Sequence, residues 1–115
     1  MNNRRTGDRG ESLALRYLER LGYKLVRRNY RTVYGEIDLI VWDGLTLVFV
    51  EVKFRRGPGY GDPLEAVTPR KQRTIRSVAE VYLSELEAEP EDLRFDVVGI
   101  TAGERPEITH VRYAF

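Results

Sequence analysis

The stretch GEIDLIVWDGLTLVFVEVKFR, residues 35–55, sets Glu36, Asp38, Glu51 and Lys53 among Ile, Val, Leu and Phe. It reads as two apolar strands joined by a two-residue turn at Asp43-Gly44, a type I′ candidate. Strand side chains alternate faces with a period of two. Glu36, Asp38 and Ile40 are therefore expected on one face, and Leu47, Phe49, Glu51 and Lys53 on one face of the second strand. With Asp43 and Gly44 in the turn, Glu36 opposes Glu51, Asp38 opposes Phe49, and Asp38 and Glu51 are diagonal neighbours. A slip of two residues sets Asp38 directly opposite Glu51.

Like charges facing one another across a sheet repel, and burial adds a desolvation cost. Raised carboxyl pKa values relieve the conflict, and so does a divalent cation held between the acids. Oxygen ligands at this density suit a hard ion such as Mg²⁺ or Mn²⁺. An ammonium at Lys53 beside such an ion can orient water and stabilise charge on a phosphate. The alternative is a solvated or edge-guarding set of charges. Against it, IDLIV and LVFVEV are apolar on both faces, as central strands are. Glu36, next to Gly35, equally fits a solvated strand end. The chain holds three lysines against sixteen arginines. A tunable point charge at Lys53 thus stands out where arginine otherwise supplies positive charge.

The elements that must position these residues follow from periodicity. Leu13, Ala14, Tyr17, Leu18 and Leu21 recur at helical spacing, with Gly22 as the stop. Glu11 shares the face of Ala14, Leu15 and Leu18, one turn earlier. Residues 23–31 predict a strand, followed by the hairpin. The segment 55–63, RRGPGYGDP, is a loop by composition. Thr68 is the N-cap and Pro69 the first residue of a second helix, whose apolar face is Ile75, Val78, Ala79, Tyr82, Leu83 and Leu86. Segments 94–100 and 107–115 predict two closing strands. The order α-β-β-β-α-β-β implies an α/β fold, a mixed central sheet flanked by helices.

A chain of 115 residues with 42% hydrophobic residues is expected to form a single domain, residues 1–115. It has no cysteine, which excludes disulfides, thiolate metal sites and a cysteine nucleophile. No apolar run is long enough to span a membrane, and the first residues carry no signal-peptide pattern. The expectation is a soluble cytoplasmic protein.

The net charge of +1 divides unevenly, with 16 Lys/Arg and 9 Asp/Glu in residues 1–76, and 3 and 9 in residues 77–115. Such a split suits a polyanion partner. The basic groups are Arg27, Arg28 and Arg31; Arg55 and Arg56; and Arg70, Lys71, Arg73 and Arg76. Cations in the first turns of a helix oppose its dipole, a conflict that a phosphate at that helix start resolves. Tyr60, in the loop, can stack on a base. No base-reading helix is legible, so binding selective for structure rather than sequence is expected. His110, in the last strand, is not assigned a catalytic role; Trp42 is read as a packing residue, and Asp96 as a structural hydrogen-bond partner.

Asp38, twelve residues, then Glu51-Val52-Lys53 resembles the core of the PD-(D/E)XK nuclease superfamily. The preceding helix with Glu11 is similar to that of archaeal Holliday-junction resolvases. Through GDRGESLALRYLERLGY, GEIDLIVWDG, FVEVKFR, GDPLEAVTPRKQ and RFDVV, most of the chain resembles the YraN family of bacterial proteins. The resemblance implies a restriction-endonuclease-like three-layer fold. It implies Asp38, Glu51 and Glu11 as ligands of Mg²⁺ or Mn²⁺, and Lys53 as the residue that positions the attacking water. Ile37 stands where the superfamily has proline, and Arg76 stands where a RecB-like branch has tyrosine four residues after Gln72. The function implied is a metal-dependent endonuclease acting on branched or single-stranded DNA; junction-cutting enzymes often use two sites, and hence a homodimer, but no dimer interface is legible in the sequence. The alternatives are a non-catalytic nucleic-acid-binding module on the same scaffold and a protein-interaction subunit that docks through its acidic C-terminal third.

Overall fold

The computed structural model describes residues 3–57 and 63–115. The order is α1 (Asn3–Arg20), β1 (Lys24–Thr32), β2 (Gly35–Asp43), β3 (Thr46–Arg55), a short 3₁₀ turn (Pro63–Ala66), α2 (Pro69–Ser84), β4 (Asp92–Thr101) and β5 (Glu107–Val111). The five strands form one mixed sheet in the order β1-β2-β3-β4-β5. Neighbours are antiparallel except β3 and β4, which run parallel. A parallel pair needs a crossover, and α2 supplies it. This is the α/β arrangement expected, with a strand order matching a restriction-endonuclease-like fold.

The apolar character of β2 and β3 on both faces has its cause in two separate cores. Ala14 and Leu18 of α1 pack on Leu39, Val41, Val48, Val50, Val98 and Ile100. Ile75, Val78, Ala79 and Tyr82 of α2 pack on Ile40, Leu47, Phe49, Phe95 and Val97. Gly22, at φ +91°, ends α1, a conformation that only glycine adopts freely. Thr68 caps α2, its hydroxyl accepting from the Lys71 amide at 3.2 Å, and Pro69 follows at the first helical position.

Several sequence expectations change. Asp43 pairs with Thr46, so the β2–β3 turn is Gly44-Leu45 rather than Asp43-Gly44. Gly44 has φ +59° and Leu45 has no positive φ, so the special conformation falls on the first turn residue, as in a type II′ turn rather than I′. The hairpin is therefore in the slipped register. Leu21 is exposed because it lies past the end of α1, and β5 stops at Val111. Tyr60 and the rest of 58–62 lie outside the described residues.

The alternation along β2 also breaks at one point. Ile37 joins the α2-side core, Leu39 the α1-side core and Ile40 the α2 side again. Two residues of equal parity thus face opposite ways, and Asp38 between them is the irregularity. Glu36, Asp38 and Ile40 do not share a regular face. On β1, the pairs Arg28↔Leu39 and Tyr30↔Ile37 bracket Asn29, which has φ 51°. The distortion spans both strands but leaves their register unchanged; the β1–β2 register shift, where a bulge inserts a residue, falls between Leu25 and Arg27.

Candidate functional site

The β2–β3 ladder runs from Asp43↔Thr46 to Leu39↔Val50. Carried one step further, it sets Asp38 opposite Glu51, the slipped pairing. There the backbone ladder stops. The Val52 amide donates instead to Asp38 Oδ2 at 2.7 Å. The break in alternation at Asp38 thus turns its side chain onto β3, and a charge-assisted bond from the backbone holds its carboxylate there.

Glu51 lies two residues from Phe49, on the α2 side of the sheet, and is only 6% exposed. Its carboxyl is pushed up to about 8, first by burial, then by the charge of Asp38. The positive charges of Lys71 and Lys53 pull it the other way without prevailing, and a hydrogen bond with Asp38 holds the proton on Glu51. Lys53 Nζ stands 3.7 Å from Glu51 Oε1. Asp38, Glu51 and Lys53 are therefore brought together, with Lys71 from the start of α2 facing them. Two carboxylates sharing one proton in a buried place are a donor set that fits a hard divalent cation, which would take the proton's position.

Glu11 is buried but comes from α1, the layer on the other side of the sheet. Its neighbour Gly10 lies so close to β3 that a Cβ there would be 3.0 Å from Phe54 Cβ. Glycine at this position lets α1 lie directly on the end of β3 that carries the site. Among the described residues, no group of three or more acidic, histidine or cysteine side chains is positioned to hold one ion. Glu36 stays at the strand end, paired with Arg31 at 3.5 Å.

The basic residues separate. Arg27 lies over the Tyr30 ring at 5.1 Å, and Tyr30 belongs to the α2-side core. Arg28 bonds Ser12 of α1 at 3.3 Å, on the opposite face. Arg55 ends β3 just past Lys53 and Arg56 follows it, and Arg70, Lys71 and Arg73 occupy the first turns of α2. Arg76 leaves this group, because its guanidinium lies 4.7 Å over Phe95 and 5.5 Å from Phe115.

Sequence reasoning did not assemble a second polar cluster on the α1 side of β4. Asp96, fully buried, accepts from Arg94 Nε at 3.0 Å and contacts His110 Nε2 at 2.7 Å. Arg94 also donates to Asp43 at 2.8 Å and to the Tyr23 hydroxyl at 2.7 Å. The Tyr17 hydroxyl meets His110 Nδ1 at 3.0 Å. Burial by itself would raise the Asp96 carboxyl, but the hydrogen bonds and charges of His110 and Arg94 hold it below the usual range. Asn29 was also missed. Its signal is residue type, since Asn tolerates the left-handed region better than other non-glycine residues.

Residues 10–100 match the uncharacterised protein family UPF0102. A UPF0102 protein of Rhodococcus opacus is 52% identical over 116 residues, covering 99% of this chain and 98% of the relative. The chain belongs to the UPF0102 family. A UPF0102 protein of Geobacter sulfurreducens is 48% identical, covering 99% of this chain and 91% of the relative. One from Mycobacterium avium is 46% identical, covering 92% and 86%. The UPF0102 match takes in α2, β4 and the hairpin that carries Asp38, Glu51 and Lys53. Its fold links it to the PD-(D/E)XK nuclease superfamily. Among the described residues no helix is long and apolar enough to cross a membrane.

Proposed function

We propose that this chain is a metal-dependent nuclease that hydrolyses DNA phosphodiester bonds, one nuclease-like domain over residues 1–115, working in the cytoplasm. The observation that carries the reading is the buried Glu51 beside Asp38, with Lys53 at 3.7 Å. A structure selected for stability alone gains nothing from two facing acids there. The resemblance to YraN and resolvase-like proteins supports the same reading.

Asp38 and Glu51 would hold Mg²⁺ or Mn²⁺, and Glu11, which stands on the α1 side apart from this pair, would have to shift toward them to join as a further ligand. When bound, the ion supplies charge neutralisation at the phosphate and a more acidic water. Lys53 orients the attacking water and donates to a phosphate oxygen. Arg55, Arg56, Arg70, Lys71 and Arg73 hold the DNA backbone around this end of β3, and Arg27 and Arg28 extend the contact along β1. Branched or single-stranded regions are the preferred substrates, and a homodimer would present two sites.

The test starts with calorimetric titration of Mn²⁺ into the native protein and into Asp38→Ala/Glu51→Ala. Saturable binding is expected only in the native protein. Cleavage of branched, flapped and single-stranded DNA should then fall by about 100-fold or more in Glu51→Gln and Lys53→Ala. Full activity in either variant overturns the assignment. A second reading, a non-catalytic DNA-binding module, draws support from the lack of a three-acid group among the described residues. It requires DNA binding with no cleavage under any divalent ion.

A further inference from the structure

Thr32 pairs with Gly35, so Val33 and Tyr34 are the two residues at the tip of the β1–β2 hairpin. Val33 is 96% exposed and Tyr34 61%. Two-residue hairpin turns favour Gly, Asn and Asp because they accept positive φ. Neither Val33 nor Tyr34 has a positive φ. The turn is carried by Gly35 at φ +151° and by the Thr32 hydroxyl, which accepts from the Tyr34 amide at 3.1 Å. Nothing in the backbone asks for a β-branched residue and an aromatic ring at this tip, and both leave apolar surface in water.

The tip has a defined place. A Cβ on Gly35 would come within 2.8 Å of Thr74 Cγ2, so the turn rests directly on α2, one helical turn past Lys71. Lys71 in turn acts on Glu51. Along β2, Asp38 follows Tyr34 by four residues, a distance of about 13 Å in an extended strand. That is about four base steps at the rise of a duplex. Arg31, whose side chain is mostly exposed, flanks the tip, and Arg70 and Lys71 lie in the first turn of α2, four and three residues before the Thr74 that the tip touches. An apolar and aromatic tip bordered by cations, at the same end of the sheet as the acids, matches the chemistry of an opened nucleic acid. Bases stack on rings, apolar side chains wedge between base steps, and phosphates take the cations.

We propose that Val33 and Tyr34 form a stacking wedge that engages a splayed base at a fork or branch, while the backbone of that strand passes Asp38 and Glu51. The position of the scissile phosphate rests on the nuclease reading above; the wedge does not. Another exposed apolar residue at a hairpin tip, Leu45 in the β2–β3 turn, lies at the opposite end of the sheet and is the internal control.

The experiment uses a forked DNA with 2-aminopurine at the unpaired positions nearest the fork, and a plain duplex of equal length, both in Ca²⁺ buffer. The full-length protein is expected to quench the 2-aminopurine fluorescence and to prefer the fork. Val33→Ser/Tyr34→Ser should unfold at the same temperature as the native protein, lose the quench and bind the fork about tenfold more weakly. Its duplex binding should change less than twofold, and Leu45→Ser should behave as the native chain. Unchanged fork affinity and quench in the double variant overturn the wedge, as does an equal loss on fork and duplex. Cleavage in Mn²⁺ separates the two readings. A native protein that cleaves forks without quenching retains the nuclease and loses the wedge, and one that quenches without cleaving does the reverse. Binding to neither DNA overturns both.

Discussion

Glu51 and Asp96 are two buried carboxylates on neighbouring strands. Val50 pairs with Asp96 and Glu51 with Val97, so they stand one residue apart in register and face opposite sides of the sheet. Burial is nearly the same, yet their protons behave oppositely. Asp96 is met by Arg94, by His110 and by the Tyr113 amide, and stays ionised. Glu51 is met first by another acid, and keeps its proton to about 8. Burial alone therefore does not decide whether an acid is structural or poised; the sign of what faces it does. The α1 side closes its charges on one another. The α2 side sets two acids against one another, with Lys53 3.7 Å from Glu51.

Substitutions should expose this difference. The largest effect is expected at Asp96. Asp96→Ala leaves Arg94 buried with only Asp43 as a carboxylate partner, and should cost about 3–5 kcal/mol in urea unfolding. Glu51→Gln removes an acid of similar burial and should be neutral or stabilising above neutral pH. A loss in that variant as large as in Asp96→Ala would place Glu51 in the structural class with Asp96.

The next effect is on pH dependence without divalent ions. Unfolded Glu51 releases its proton near 4.5 and folded Glu51 near 8, so folding takes up a proton between those values. The stability that this proton contributes is full below 4.5 and is lost as the pH rises through 8. Relative to Glu51→Gln, the native protein should lose on the order of 1.4 kcal/mol per pH unit across that window. Parallel stability curves for the two proteins would refute the raised carboxyl. The smallest effect is expected at Asn29. Asn29→Gly should keep both stability and Mn²⁺ affinity. Asn29→Val, forced into the left-handed region, should cost about 1–3 kcal/mol and weaken Mn²⁺ binding through Asp38.

The elements and the acid pair were legible because their signals are local. Ile75, Val78, Ala79 and Tyr82 mark a helix face without reference to anything else, and Thr68-Pro69 marks its start. Asp38, Glu51 and Lys53 are conspicuous because apolar strands surround them. The register was harder. Asp43-Gly44 has the composition of a type I′ turn, but Gly44 alone takes the positive φ and the pairing slips by two residues. The break in alternation at Asp38 was not legible at all, since it accompanies the left-handed Asn29 across the ladder and puts Ile37 and Leu39 in different cores. Nor was the Arg94 cluster, whose members meet only when three strands and α1 are in place. Val33 and Tyr34 fell between the expected strand 23–31 and the hairpin from 35 without any reading, because their exposure is a property of the turn, not of their type.

The Arg94–Asp96–His110 cluster also has a bearing on how the chain reaches its fold. Tyr17 and His110 are 93 residues apart, Arg94 and Tyr23 71, and Arg94 and Asp43 51. No hairpin or helix can form any of these bonds early by itself. Each requires a long loop to close before its bond repays the lost entropy, which makes such contacts late and folding slow. Until then Asp96 is an acid entering an apolar layer with only its near neighbour Arg94 for company. The cluster thus acts as a checkpoint on assembly, since a sheet with β5 or α1 misplaced leaves charge stranded in its interior. Partly built states are penalised, and the chain is driven to complete its sheet as one cooperative unit.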